Sequence, residues 1–335
     1  MTKSRSGIHT LHIPDPSKAA AGAALDAVTE LGDALPDTDP DLYLEYGAKH
    51  LRNHLPAGVL DALAEWRHSP TAWLTLANLP GPHEPVPTPR DGFCDESLLR
   101  TPNLVHFGIL RLLGLSPIAY PWENDGRLIR NVAPRAASAD TLTSWGYAQP
   151  LDWHTDDSVL DHRPEAAAAE AIPHYLSFFG MRNHERVPTD LLPVDTVLET
   201  LPDRTAEALR RPDFTVTAPE SYTTDDHGRP LSRTGVPVLW TLPDGNAALR
   251  YGPGRLTGQT PGARAALADF ERHAAGLPGL PVMVEEGGFH IFDNRRVMHR
   301  RVPFQPAAEG RARWLRRCYA HRPATAPAPA PATAG

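Results

Sequence analysis

From Val236 to Ala320 the chain reads as a succession of short apolar runs, each closed by a turn rich in glycine or proline, and this pattern limits the fold more than any other feature. Val236 to Tyr251 holds two such runs separated by Pro243-Asp244-Gly245-Asn246, the chemistry of a tight hairpin turn. Further strands are expected at Pro281–Glu285, Phe289–Phe292, Met298–Phe304 and Arg313–Ala320, with a helix over Pro261–Ala275. Many short strands with helices outside them favour a mainly β protein with peripheral helices. Its expected core is a double-stranded β-helix, the cupin-like jelly roll, whose mouth can hold a ligand. No internal repeat is evident.

The first half fits the same plan. Leu42 to Trp66 carries apolar residues at helical spacing, with Pro56 breaking the stretch into two helices. A helix is expected at Val105–Leu115, and strands at Thr71–Leu76, Leu128–Val132 and Tyr175–Met181. Between Pro80 and Arg90 prolines crowd a stiff extended loop, either an inert connection or a border of the ligand pocket. Residues 1–40 read as an N-terminal lead-in with one short helix around Ala19–Leu31. Residues 41–322 read as a single jelly-roll domain with helical insertions, and 323–335 as a disordered Ala/Pro tail.

Composition then narrows the partners. A formal charge of −7 without any basic block argues against nucleic acid or an anionic membrane surface, leaving a small molecule as the expected ligand. No apolar run is long enough to span a bilayer and no signal-peptide core opens the chain, so a cytoplasmic protein is expected. Cys94 and Cys318 are too few for a disulfide framework and are expected reduced.

Chemistry-bearing residues collect in two places. In Trp153-His154-Thr155-Asp156 the histidine and the aspartate are two apart, so on a strand both point to one face and can reach one metal ion. A second histidine, His299, closes Asp293-Asn294-Arg295-Arg296-Val297-Met298-His299. Two histidines and one carboxylate form the set that binds ferrous iron on one face and leaves the other face open. Taken alone, a His-x-Asp is the sort of match that sixteen histidines give by chance. Arg313 and Arg317 are four apart, so on a strand they share a face, with roughly 13 Å of backbone between them. If buried, each needs an anion; on a surface helix or outer strand they would simply be solvated.

Order and spacing join these pieces. His154-Thr155-Asp156, then the block from Gly287 to Phe304, then Gly310-Arg311-Ala312-Arg313-Trp314-Leu315-Arg316-Arg317, resembles the clavaminate synthase-like, TauD-related group of Fe(II)/2-oxoglutarate-dependent oxygenases over about residues 105–320. Many of that group oxidise free amino acids in antibiotic biosynthesis. The resemblance implies His154, Asp156 and His299 as iron ligands, with Fe(II), 2-oxoglutarate and O2 as cofactor and cosubstrates. It implies Arg313, fourteen residues after His299, and Thr189 as the partners of the distal carboxylate of 2-oxoglutarate. It places Arg317 at the substrate's α-carboxylate and Glu123 near its amine. The implied reaction is hydroxylation of an unactivated C–H bond of an amino acid, free or carrier-bound, giving succinate and CO2. Desaturation or oxidative cyclisation at the same site is the alternative.

Departures from the family pattern carry information too. The acidic ligand is Asp156 where many relatives have glutamate, and Arg300 follows the last ligand where relatives have glycine. Gly252 and Gly254 stand where arginine-hydroxylating relatives have an acidic pair, which disfavours free arginine as substrate; Glu220, Asp225 and Asp226 on a neighbouring loop are candidate replacements. His290 is expected, by alternation with Phe289, to face away from the site. From other classes, a zinc hydrolase could use the same three ligands but has no need of Arg313. A non-catalytic jelly-roll binding protein is the third reading.

Overall fold

The computed structural model describes residues 10–219 and 231–323. Glu220, Asp225, Asp226 and the Ala/Pro tail beyond residue 323 lie outside the described residues. Two sheets face each other as a jelly roll requires, antiparallel throughout except for one parallel edge pair in the larger. The larger runs in the order Thr10–His12, Trp73–Ala77, Phe289–Asp293, Tyr175–Arg182, Trp314–His321, and its last strand is flanked by both Ser116–Ile118 and Ile129–Val132. The smaller is Leu280–Val282, Thr189–Pro193, Val297–Arg301, Leu151–His154. Neighbours that are distant in sequence show that the sheets are built by crossovers, not by successive hairpins.

Both faces of the larger sheet are covered, and its strands alternate between two cores. Along Trp314–His321 every residue is buried. Leu315 and Tyr319 join the core between the sheets, while Trp314, Cys318 and Ala320 join the core under the helices. Tyr175–Arg182 does the same: Leu176 and Phe178 face the smaller sheet, Tyr175, Phe179 and Met181 face the helices. Covered on both sides, these strands lack the apolar/polar alternation of a half-exposed sheet.

The helical layer is Asp15–Asp26, Pro40–His54, Ala57–His68 and Arg100–Leu112. Pro40–His54 and Arg100–Leu112 approach at Gly47 and Gly108: a Cβ on Gly47 would stand 2.1 Å from the Leu104 carbonyl oxygen. The expected helix at 105–115 thus starts earlier, with Pro102 tolerated in its first turn. The short N-terminal helix also begins earlier than expected, at Asp15 with Pro16 in its first turn. Residues 10–40 are no separate lead-in: Thr10–His12 pairs parallel with Thr75–Ala77, and Ile13, Ala21 and Leu25 join the helical core. Three residues are too short a run for alternation to reveal a strand.

Downstream, the Leu239–Thr241 and Ala247–Leu249 hairpin turns at the expected residues, and the helix Pro261–Ala275 has the expected bounds, capped by the Thr260 hydroxyl accepting from the Ala263 N–H. The strand expected to run to Phe304 stops at Arg301, because Pro303 cannot donate to a ladder. No described helix is long and apolar enough to cross a membrane.

Candidate active site

The smaller sheet sets His154 directly opposite His299 in register, their rings 4.1 Å apart. Between His299 and Arg301 the register shifts, an irregularity of the kind found where a strand re-aims side chains beside a site. Asp156 follows the strand end, and its Oδ1 lies 3.3 Å from His154 Nε2 and 3.7 Å from His299 Nε2. The three donor atoms lie within 4.8 Å of one another and form a cluster that could hold a metal ion. His154 Nδ1 is 2.7 Å from the Asp152 carbonyl oxygen; donating there leaves Nε2 as the free lone pair. Burial pushes His299 down to about 3, so its imidazole is neutral and able to ligate.

Other residues fix the aspartate. The fully buried Asn294 accepts from the Asp156 N–H at 2.8 Å and donates to the Asp156 carbonyl at 3.0 Å, pinning the backbone. The second carboxylate oxygen, Oδ2, accepts from Arg317 Nη1 at 3.0 Å and from the Tyr319 hydroxyl at 2.9 Å. Burial alone would raise the Asp156 pKa, but the His154 contact and the Arg317 and His299 charges hold it well below the usual range. Oδ1 is thereby turned to the histidines and Oδ2 away from them.

Thr155 points elsewhere: its N–H donates to the Tyr251 carbonyl at 2.8 Å, and its hydroxyl accepts from the Tyr251 N–H at 3.0 Å. This bond docks the segment after the 247–249 strand onto the site, so that Gly252 and Pro253 line the same cavity as the histidines. Arg255 lines it beside them. Trp153 is buried in the core and stacks under Arg300, whose Nε donates to Asp190 at 3.0 Å. That pairing accounts for an arginine directly after the last histidine.

The cavity has a volume of about 590 Å³ and also reaches Arg313, Thr189, Arg317 and Glu123. Arg313 and Arg317 share a face, as their spacing requires, but they are not equivalent. Arg317 is paired by the chain itself, with Glu123 at 2.6 Å and Asp156 at 3.0 Å. Glu123 also takes Arg130 at 2.6 Å. Glu123 is therefore no solvated turn acid; it starts the Glu123-Asn124-Asp125-Gly126 turn with its carboxylate buried between two guanidiniums. Arg313 is 3% exposed and has no ion-pair partner among the described residues; its guanidinium makes one hydrogen bond there, to Thr189 Oγ1 at 3.5 Å, and its Nε is unpartnered. Burial, then the Arg301 charge, pushes it down to about 9 despite Glu185. A buried guanidinium in that condition calls for an anion from outside the chain.

Asn294, Tyr319, Arg130 and Arg301 belong to the site and were not singled out by the sequence reading. Tyr319 had a signal, since two residues beyond Arg317 on a strand it shares the Arg313 and Arg317 face. His290 corrects an expectation: Phe289 and Ile291 pack under the helices, so His290 lies on the inner face with Phe292, whose ring meets His299 at 5.1 Å. His290 stays off the cavity wall, bonded to Thr75 Oγ1 at 2.8 Å and pushed down to about 3 by burial. The proline-rich loop at 80–90 borders a separate surface cleft with Arg182 and Glu286, not this cavity.

Known proteins carry the same architecture. Residues 189–319 match the model of the family described as taurine catabolism dioxygenase TauD, TfdA. The enduracididine β-hydroxylase of Streptomyces hygroscopicus is 25% identical over 92% of this chain and 93% of its own length. The L-lysine 3-hydroxylase of Catenulispora acidiphila is 26% identical over 79% and 72%. Among solved structures, an asparagine oxygenase in complex with Fe(II), 3-hydroxyasparagine and succinate has a TM-score of 0.76 at 23% identity, covering 92% of both chains. The oxygenase OrfP in complex with Fe and α-ketoglutaric acid has a TM-score of 0.73 at 23% identity, covering 93% of both. Two imidazoles and a carboxylate suit ferrous iron, and the orphaned guanidinium of Arg313 suits the far carboxylate of a 2-oxo diacid, so the residues present fit both groups. The chain is an iron- and 2-oxoglutarate-dependent oxygenase, and its residues 189–319 are similar to the TauD/TfdA model.

Proposed function

We propose that this enzyme hydroxylates an unactivated C–H bond of a free amino acid or amino-acid derivative in secondary metabolism, with His154, Asp156 and His299 holding the iron. The observation that carries the reading is one cavity holding both the three-donor cluster and the unpaired Arg313. A hydrolase using the same ligands would gain nothing from a buried cation there. Bound iron, 2-oxoglutarate and O2 supply the oxidising equivalents, with succinate and CO2 as coproducts. A cytoplasmic setting is part of the proposal.

The chain's own residues do the rest. His154 and His299 present their Nε2 atoms on one side of the site, while Asp156 is held by Arg317, Tyr319 and Asn294 so that a single oxygen faces them. Arg313 and the Thr189 hydroxyl bind and orient the distal carboxylate of the cosubstrate, the guanidinium fixing direction as well as charge. Arg317 and Glu123 form a pair whose two halves complement a zwitterion: an entering α-carboxylate finds the guanidinium and an α-ammonium finds the carboxylate. Arg130 keeps Glu123 in place during that exchange. Phe178 and Trp122 line the cavity and limit water around the reacting bond.

The substrate side chain meets Gly252, Pro253 and Arg255, a wall without a carboxylate. A guanidinium side chain finds no acid on that stretch of wall, the cavity's Asp125, Asp152 and Asp157 lying elsewhere on its lining, and an uncharged or anionic one fits that stretch better. The test is succinate release by iron-loaded protein with 2-oxoglutarate and oxygen across free amino acids, including arginine, lysine, asparagine and several neutral ones. Stimulation by a neutral member is the expected result. Stimulation by arginine alone would overturn the side-chain inference, and iron-independent or zinc-specific hydrolysis would overturn the oxygenase assignment.

A further inference from the structure

Arg313 is not the only cation in this cavity without an ion-pair partner among the described residues. Arg301, two residues beyond His299 on the same strand, is 6% exposed and lines the cavity too. Its Nε has no partner, and its other nitrogens make only long bonds to main-chain carbonyls, Val302 at 3.3 Å and Gln149 at 3.4 Å. Among the described residues it forms no ion pair; one ring, Phe304, lies against it at 5.3 Å. Arg301 thus repeats the condition of Arg313 on the opposite sheet.

The two are neighbours through Thr189. The Val297–Arg301 strand pairs with Thr189–Pro193 so that Arg300 stands opposite Asp190. One step further along the ladder, Arg301 comes level with Thr189, and Thr189 Oγ1 is the 3.5 Å contact of Arg313. Two buried guanidiniums and a hydroxyl therefore converge with no ion-paired acid between them among the described residues, the nearby Glu185 accepting from the Arg313 main-chain N–H, and such an arrangement calls for an anion between the cations. The strand also sets the distance: Arg301 lies roughly 7 Å along the backbone from His299, about the reach of a five-carbon diacid held at the metal by its other end.

We propose that Arg301 is a second anchor for the distal carboxylate of 2-oxoglutarate, so that Arg313, Thr189 and Arg301 together form its cradle. The inference rests on the reading above that 2-oxoglutarate is the cosubstrate. Two carboxylate oxygens offer about four acceptor positions, enough for a guanidinium from each sheet and the threonine hydroxyl. Such a cradle selects diacids, because a 2-oxo monoacid would leave both cations buried and unpaired.

Calorimetric titration of the Mn(II)-loaded protein tests this without turnover, using 2-oxoglutarate and 2-oxopentanoate, which lacks the distal carboxylate. Arg301→Gln is expected to weaken 2-oxoglutarate by ~10- to 100-fold, the value of a charge-assisted bond, and to leave 2-oxopentanoate unchanged. Arg301→Lys, which keeps the charge, is expected to show a smaller loss, and it carries the test if the glutamine variant does not fold. Wild-type affinity in Arg301→Gln, or equal weakening of both acids, would overturn the proposal and return Arg301 to a structural role. Failure of the wild-type protein to bind 2-oxoglutarate would instead overturn the cosubstrate reading itself.

Discussion

Replacing Tyr319 by phenylalanine removes one oxygen from the site and almost nothing else. The phenol is buried in the core between the sheets, its ring stacks under Arg317 at 4.0 Å and meets Tyr120 at 5.8 Å, and phenylalanine preserves both contacts. What is lost is the 2.9 Å hydrogen bond to Asp156 Oδ2, one of two that hold that oxygen away from the histidines. A hydrogen bond to a charged group contributes about 1.5–3 kcal/mol, and loss of a partner behind a metal ligand costs ~10- to 100-fold in metal affinity, which is about 1.4–2.7 kcal/mol. The two ranges agree, so Tyr319→Phe is expected to weaken Fe(II) or Mn(II) by that factor while 2-oxoglutarate affinity at saturating metal changes little. Chelator competition under anaerobic conditions reads the constant, and a thermal melt checks the fold. An unchanged metal constant in a folded variant would refute the idea that Tyr319 aims Asp156, leaving Arg317 to do so alone.

The other expectations are simpler. His154→Ala and His299→Ala should each abolish both stoichiometric iron binding and iron-dependent turnover; full activity in either removes the metal assignment. Arg313→Ala should chiefly raise the KM for 2-oxoglutarate, by ~30-fold or more since a buried charge partner is worth about 2–5 kcal/mol, whereas Arg317→Ala should weaken metal and amino acid together because it touches Asp156; matching kinetic effects of the two would refute that division. Gly180→Ala should destabilise by about 1–3 kcal/mol or more, seen as a lowered melting temperature, because the new Cβ would stand 1.9 Å from the Glu285 carbonyl oxygen. Glu96 is held below its ordinary value of 4.5, burial being outweighed by the Arg316 charge, so its contribution is complete above about pH 4.5 and lost as the pH falls through its lower folded value; Glu96→Gln should flatten that part of the acid-unfolding curve.

Arginines show what a sequence can and cannot reveal. Spacing placed Arg313 and Arg317 on one face, since period two survives even in a strand buried on both sides, but left open whether that face is buried; the structure sets both on the cavity wall. Spacing could not say which one lacks an anion, because Glu123 reaches Arg317 from a turn nearly two hundred residues earlier. Arg316, between them, is equally buried and faces the helices, where Glu96, Asn103 and Asn131 surround it. Three arginines in one short run thus have three fates, decided by residues 96, 123 and 189. The same limit hid Arg301: beside Arg300 in the sequence it reads as part of a basic surface, yet Arg300 crosses Trp153 to pair with Asp190 while Arg301 has no ion-pair partner among the described residues.

Local signals did well wherever the chain decides its own conformation. The Pro243–Asn246 turn, the helix begun by Thr260 and Pro261, and the break at Pro56 depend on neighbouring residues alone, and all lie where expected. Boundaries drifted where tertiary packing extends an element past its own pattern, as at Arg100–Leu112, whose first turn is buried against the Pro40–His54 helix and the strands behind it. The short strand at residues 10–12 has no local signal at all; it exists because Trp73–Ala77 offers a free edge.

The site is also where the two sheets are fastened. His154, His299 and Thr189 belong to the smaller sheet, Arg317 and Tyr319 to the larger, and Asp156 stands between them. Without that carboxylate Arg317 would keep only Glu123 on the inner face, and Tyr319 would lose its acceptor. A longer glutamate at 156 would carry its carboxylate one methylene further from the backbone that Asn294 pins, and would need the opposite sheet to stand further off to keep the Arg317 and Tyr319 bonds. The aspartate, the pinned backbone and the phenol at 319 are therefore a matched set: the shorter ligand fits because the larger sheet supplies a tyrosine and an arginine at the height its second oxygen reaches.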